Sequence, residues 1–182
     1  MSRSIAVLAV MCLLAGCSSS DMSSDSTAGN GQSAVVLSIT DRDFVHDAAI
    51  GGMYEVQAGQ IAAAKATSAD LRQFGQKMVA DHTQVNNELQ QLASQKGIAI
   101  PTELNSKHQE MIDQLNKLGG SEFEQDYING QVKAHEKTIE LFQKEARDGQ
   151  DNDLKAFASR TLPTLQHHLD MIKGIQSTWS VK

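Results

Sequence analysis

From Asp41 onward, apolar residues return every three or four positions through four long stretches, and proline interrupts them only at Pro101 and Pro163. A spacing near 3.6 puts these side chains on one face of a helix, whereas a strand needs alternation by two. The spacing predicts helices over about Asp43–Ala66, Thr67–Lys96, Glu122–Arg147 and Leu154–Gln176. "TSAD" at Thr67–Asp70 offers a capping-box-like start for the second, and Gly97 a stop. "GIAIPTEL" then breaks the pattern. A shorter amphipathic helix follows, carrying Leu104, Met111, Ile112, Leu115 and Leu118, until "GGS" at Gly119–Ser121 ends it. "DGQDND" at Asp148–Asp153 turns the chain between the last two helices, and Pro163 is expected to kink the final one. Two long hairpins joined by one long connection predict an all-α, ferritin-like four-helix bundle whose crossover contains a short helix. The bundle is expected over residues 41–176, with a tail at 177–182; about 135 residues suffice for a real core.

The N-terminal stretch has a different character. "MSRSIAVLAVMCLLAGC" places one arginine before an apolar run, Ile5–Leu14, which suits an export signal and is too short to span a bilayer. Its end, "LAGC" at Leu14–Cys17, resembles the lipobox of bacterial lipoproteins. That resemblance implies removal of residues 1–16, lipidation of Cys17 and, with Ser18 next, anchoring in the outer membrane facing the periplasm. Residues 17–40, rich in Ser, Asp, Gly and Thr, read as a flexible tether. Cleavage would also remove Cys12 and Arg3, leaving no cysteine pair and 15 basic against 22 acidic residues, a net charge of −7. A chain so acidic, without a basic run, is a poor partner for nucleic acid. The partner expected is the membrane, through lipidated Cys17; the sequence identifies no protein partner.

Each helical stripe holds one ionisable residue. The first reads Phe44, Ala48, Gly52, Glu55, Gly59, Ala62; the second Leu71, Gly75, Met78, His82, Val85, Leu89. The third reads Ile128, Val132, His135, Ile139, Phe142, and the last Leu154, Ala158, Thr161, Leu165, His168, Ile172. Residues equidistant from a hairpin turn sit level on antiparallel helices. Glu55 and His82 are symmetric about position 68.5, and His135 and His168 about 151.5, both inside the expected turns. All four should therefore fall near mid-bundle, roughly 20 to 25 Å from either turn at 1.5 Å per residue.

Burying a carboxylate and three imidazoles without partners is costly, so they must bond to one another, to water or to a metal. Three nitrogens and one carboxylate suit Zn, Fe or Cu, whereas Ca or Mg would want more oxygens. Asp81 and Glu136 each follow or precede an inward histidine and point about 100° away from it. Either can orient a histidine on the neighbouring helix, or stand as a boundary charge in water. His46, His108 and His167 match no shared level and read as surface or crossover residues; Met53, Met78, Met111 and Met171 read as core filler or soft copper ligands. Gly51, Gly52 and Gly59 permit close helix approach around Glu55. No G-x-S-x-G or paired-cysteine motif carries nucleophilic chemistry.

The segments "AAIGGMYEVQAGQIA", "MVADHTQVNNELQQLA", "QVKAHEKTIELF" and "FASRTLPTLQHHL" resemble a bacterial family of exported ferritin-like domains of unknown function, often labelled outer membrane protein. The resemblance spans about Asp41–Gln176 and implies the bundle fold. True di-iron ferritins carry Glu-x-x-His on two helices, and here Val79 and Leu165 stand three before His82 and His168. A mononuclear site or a metal-free polar core is therefore expected over di-iron chemistry. The leading expectation is a non-enzymatic, lipid-anchored envelope module acting by binding, with a polar or metal site at mid-bundle. The alternative is a periplasmic metal-storage or oxidase protein using a mononuclear His/Glu site.

Overall fold

A computed structural model describes residues 37–179, which form five helices: α1 Ile39–Lys65, α2 Ala69–Gln95, α3 Ser106–Lys117, α4 Gly120–Asp148 and α5 Asn152–Trp179. The described residues all fall in one compact unit. The export signal, Cys17 and most of the expected tether lie outside the described residues.

Helix α1 starts four residues before the expected Asp43, for a local reason. Ser38 accepts the Asp41 amide through Oγ (3.1 Å), and Asp41 Oδ2 accepts the Ser38 amide (3.1 Å) and hydroxyl (2.7 Å). This reciprocal capping box satisfies two donors that a helix start would leave bare. It also brings Leu37, expected in the tether, into the core. At the first turn the cap is Ser68, which accepts the Leu71 amide, so "TSAD" starts a helix without the reciprocal pair. Helix α2 ends at Gly97, whose φ of 67° only glycine adopts readily. Ile98 N–H donates to Ala93 O (2.8 Å) and Gly97 N–H to Ser94 O (3.1 Å), the paired bonds of a Schellman stop. Helix α5 continues through Pro163 to Trp179, past the expected Gln176. Pro163 is exposed, so the carbonyl it frees faces water.

Two buried acids tie the hairpins together at opposite ends. Glu124, at the start of α4, accepts Thr67 N, Thr67 Oγ1 and Ser68 N through Oε1 at 2.6 to 2.7 Å, holding the α1–α2 turn. Asp41, at the start of α1, accepts Gln150 N (2.9 Å) and Asp151 N (3.3 Å), holding the α4–α5 turn. Helix α4 therefore begins where α1 ends, and the four long helices run up, down, down, up. The crossover returns the chain along the bundle, and Lys65 closes it by donating to the carbonyls of Leu115, Asn116 and Leu118. Helix α1 packs mainly on α2 and α4, and α5 on α4 and α2.

Gly59 and Gly75 let α1 and α2 touch backbone to backbone. A Cβ on Gly75 would lie 2.7 Å from Gly59 O, and one on Gly59 would lie 2.8 Å from Gly75 O. Aromatic rings fill both ends of the core. Phe44 meets Phe142 edge-on with centroids 4.9 Å apart near the Asp41 end, and Phe123 stacks on Tyr127 at 5.8 Å toward the other. A polar layer lies between them.

Candidate metal centre

His82 on α2, His135 on α4 and His168 on α5 meet in this layer, all three buried. Their ring centroids are 5.3, 5.6 and 5.9 Å apart, an almost equilateral triangle. One nitrogen from each lies within 4.8 Å of the other two. Phe74 roofs the triangle, with its ring 6.4 to 6.5 Å from His168 and His135.

For His135 and His168 the hydrogen bonds fix which nitrogen is left free. His135 Nδ1 lies 2.9 Å from Gln131 O. A carbonyl only accepts, so Nδ1 carries the proton and Nε2 keeps its lone pair. His168 Nε2 lies 2.7 Å from Asp81 Oδ2. Burial raises the Asp81 carboxyl, yet hydrogen bonds from His168 and Lys77 outweigh it and hold its pKa below the ordinary value, so it accepts as a carboxylate. His168 therefore donates from Nε2 and presents Nδ1. Each ring has one buried nitrogen without a hydrogen-bond partner: His82 Nε2, His135 Nε2 and His168 Nδ1. Burial, then the neighbouring imidazoles, pushes His82 down to about 3. Burial also pushes His168 down to about 4, against the pull of Asp81. Both rings are neutral at pH 7, the form in which imidazole coordinates a metal.

Glu55 shares the layer but stands outside the three-nitrogen set. It is 3% exposed, and its Oε2 has no hydrogen-bond partner. Burial raises its pKa, opposed by His135 and a hydrogen bond from Gln131. Of the two acids expected beside a histidine, Asp81 meets His168 as described. Glu136 instead pairs with Lys173 at 2.8 Å, both about half exposed, because its face of α4 turns toward solvent. His46 is exposed and bonds Asp47 (2.9 Å), His167 is exposed, and His108 leans on Tyr54 with centroids 5.4 Å apart. Met78 is fully buried packing.

Tyr127 and Gln131 were not anticipated. The Tyr127 hydroxyl is buried without a partner, and the Gln131 amide is buried beside Glu55. Burial and then Glu55 raise the Tyr127 pKa well above its ordinary value, which keeps the phenol protonated. Counting back from His135 in steps of four gives Gln131 and Tyr127, so the stripe itself held the signal.

A fit to a metal ion can be tested on these positions. Donor nitrogens about 2.0 to 2.1 Å from a tetrahedral ion lie about 3.4 Å apart, so nitrogens within 4.8 Å of one another would close by up to about 1.4 Å. The opposite ring nitrogens of His135 and His168 already donate to a carbonyl and a carboxylate, the support usual for metal-bound histidine. The donor set and its supports fit a borderline transition-metal ion.

No curated protein matches the chain. Among solved structures, the crystal structure of a DUF305 fragment from Deinococcus radiodurans is similar, with a TM-score of 0.68 over 78% of this chain and 98% of that one. At 9% identity this likeness concerns the helical fold alone. The family described as a domain of unknown function, DUF4142, matches residues 26–175, well over half of the 182 residues, and the chain belongs to that family.

Proposed function

We propose that this protein is an exported, lipid-anchored bundle of ferritin-like topology that binds one divalent transition-metal ion between α2, α4 and α5. The observation that carries the reading is the convergence of three buried histidines, with one nitrogen of each within 4.8 Å of the others and one buried, unpartnered nitrogen on every ring. Leaving three such acceptors dry would cost several kcal/mol, on the order of 1 to 3 each, and one ion satisfies all of them. A near-equilateral triangle of rings gives a pyramidal donor set. That shape favours Zn(II) or Fe(II) over Cu(II), which prefers a square plane. Glu55, buried in the same layer, would be the residue to supply a fourth, negatively charged ligand. The up-down-down-up course of the helices and the long crossover support the ferritin-like reading. "LAGC" after the apolar run supports the anchor at Cys17, placing the bundle in the cell envelope, on the outer membrane facing the periplasm. Among the described residues, no helix is long and apolar enough to cross a membrane.

Elemental analysis and Zn(II) titration of residues 34–182, made without a histidine tag, test the reading. One ion per chain is expected, abolished by His82→Ala, His135→Ala or His168→Ala while the helical circular dichroism persists. Tight binding by none of these metals, or binding unchanged in all three variants, refutes it.

A further inference from the structure

A second feature stands on the opposite side of Glu55. Helix α3 rests on α1 and barely meets α4, which leaves a groove of about 470 Å³ among the three helices. Small residues keep it open. A Cβ on Gly51 would meet nothing within 4 Å, and one on Gly130 would meet only Tyr54 Oη at 4.0 Å. Its size lies within the range of small-molecule sites.

The lining has two parts. Ile50, Tyr54, Met111 and Leu141 supply an apolar floor. Lys107 from α3, with Lys133 and Lys137 one turn apart on α4, stands along the edge. None of these lysines has an ion-pair partner among the described residues, although Lys77, Lys96 and Lys173 all do. Three unpaired cations around one apolar groove are notable in a chain of net charge −6. Asp47, the exposed acid of the lining, is engaged by His46. Glu55 forms part of the inner wall, so the groove ends beside the histidine layer.

We infer that this groove binds a small amphipathic carboxylate, with its apolar body on the floor and its charged end among Lys107, Lys133 and Lys137. Apolar burial supplies most of the affinity, and the lysines select the anion over a neutral molecule of the same length. The inference does not depend on the metal, so its test runs on metal-free protein in the presence of a chelator. The fluorescent anion 1-anilinonaphthalene-8-sulfonate is titrated into residues 34–182, then displaced with decanoate and, separately, with decanol. Saturable one-to-one binding is expected, with decanoate displacing at least tenfold better than decanol. The double variant K133Q/K137Q should bind decanoate about tenfold more weakly. Gly130→Leu, which projects into open space and favours the helix, should block both ligands while leaving the circular dichroism unchanged. Absence of saturable binding, equal displacement by decanol, or wild-type affinity in either variant overturns the inference.

Discussion

Glu145→Gln should stabilise the protein at pH 8 and leave it unchanged near pH 4.5. Glu145 lies on the last turn of α4, fully buried, with its carboxyl folded against Gly149 where a Cβ would otherwise sit. Its carboxyl lies against that of Asp41, to which it can donate only while protonated. Burial first, then Asp41 on α1 and Asp151 in the turn, push its pKa up to about 7, and Lys155 on α5 pulls the other way. The ordinary value is 4.5, so the folded state keeps a proton that the unfolded chain releases between pH 4.5 and 7. Stability from this group therefore falls as pH rises through that window, by at most about 1.4 kcal/mol per pH unit, and levels off above pH 7. The whole difference, 7 minus 4.5, is worth about 3 kcal/mol.

Other groups titrate nearby and must be separated. Asp41 is held below its ordinary value because hydrogen bonds from Ser38, Gln150 and Asp151 outweigh burial, so its contribution is lost only as pH falls below about 4. His82 and His168 are held low, so the unfolded chain binds protons in preference below pH 6.5 and their effect runs opposite to that of Glu145. Subtracting wild type from Glu145→Gln at each pH cancels the histidines, and Asp41, which lies against Glu145, titrates below this range. Urea unfolding of the metal-free protein at pH 4.5, 5.5, 6.5 and 8 should give a difference rising from near zero to about 3 kcal/mol in favour of the variant. A difference that is flat with pH, or a variant less stable at pH 8, would refute the reasoning.

Gly75→Ala should destabilise the bundle by about 1 to 3 kcal/mol, because the new methyl meets the Gly59 carbonyl and Ala63 amide, which cannot rotate away; thermal unfolding unchanged within error would contradict that contact. Asp81→Asn should weaken Zn(II) affinity by about tenfold while keeping one ion per chain, since it removes the charge that steadies His168 Nε2–H. An unchanged dissociation constant would show that Asp81 acts only through Lys77. Labelled fatty acid should appear on the wild-type chain and vanish in Cys17→Ser, and an unlabelled wild type cut elsewhere would remove the lipid anchor from the account.

The number, length and inner faces of the helices were legible in the sequence because periodicity is local. Phe44, Ala48 and Ala62 on α1, or Leu154, Ala158 and Leu165 on α5, point inward as their spacing required. The common height of His82, His135 and His168 was also legible, since hairpin symmetry and a fixed rise per residue set it. Periodicity assigns a face within about a quarter turn; it does not say how far a side chain reaches across the gap between helices. That reach separated Asp81, which meets His168, from Glu136, which pairs with Lys173. It also set Glu55 outside the three imidazoles. The clasps of Glu124 on the first turn and Asp41 on the second join residues 56 to 110 positions apart, and nothing local marks either acid as buried. The groove over Gly51 and Gly130 exists because α3 settles on α1 and leaves α4 uncovered. The sequence determined which residues face the core; packing of whole helices against one another decided which polar atoms touch, because that depends on offsets of about an ångström that no spacing along one chain records.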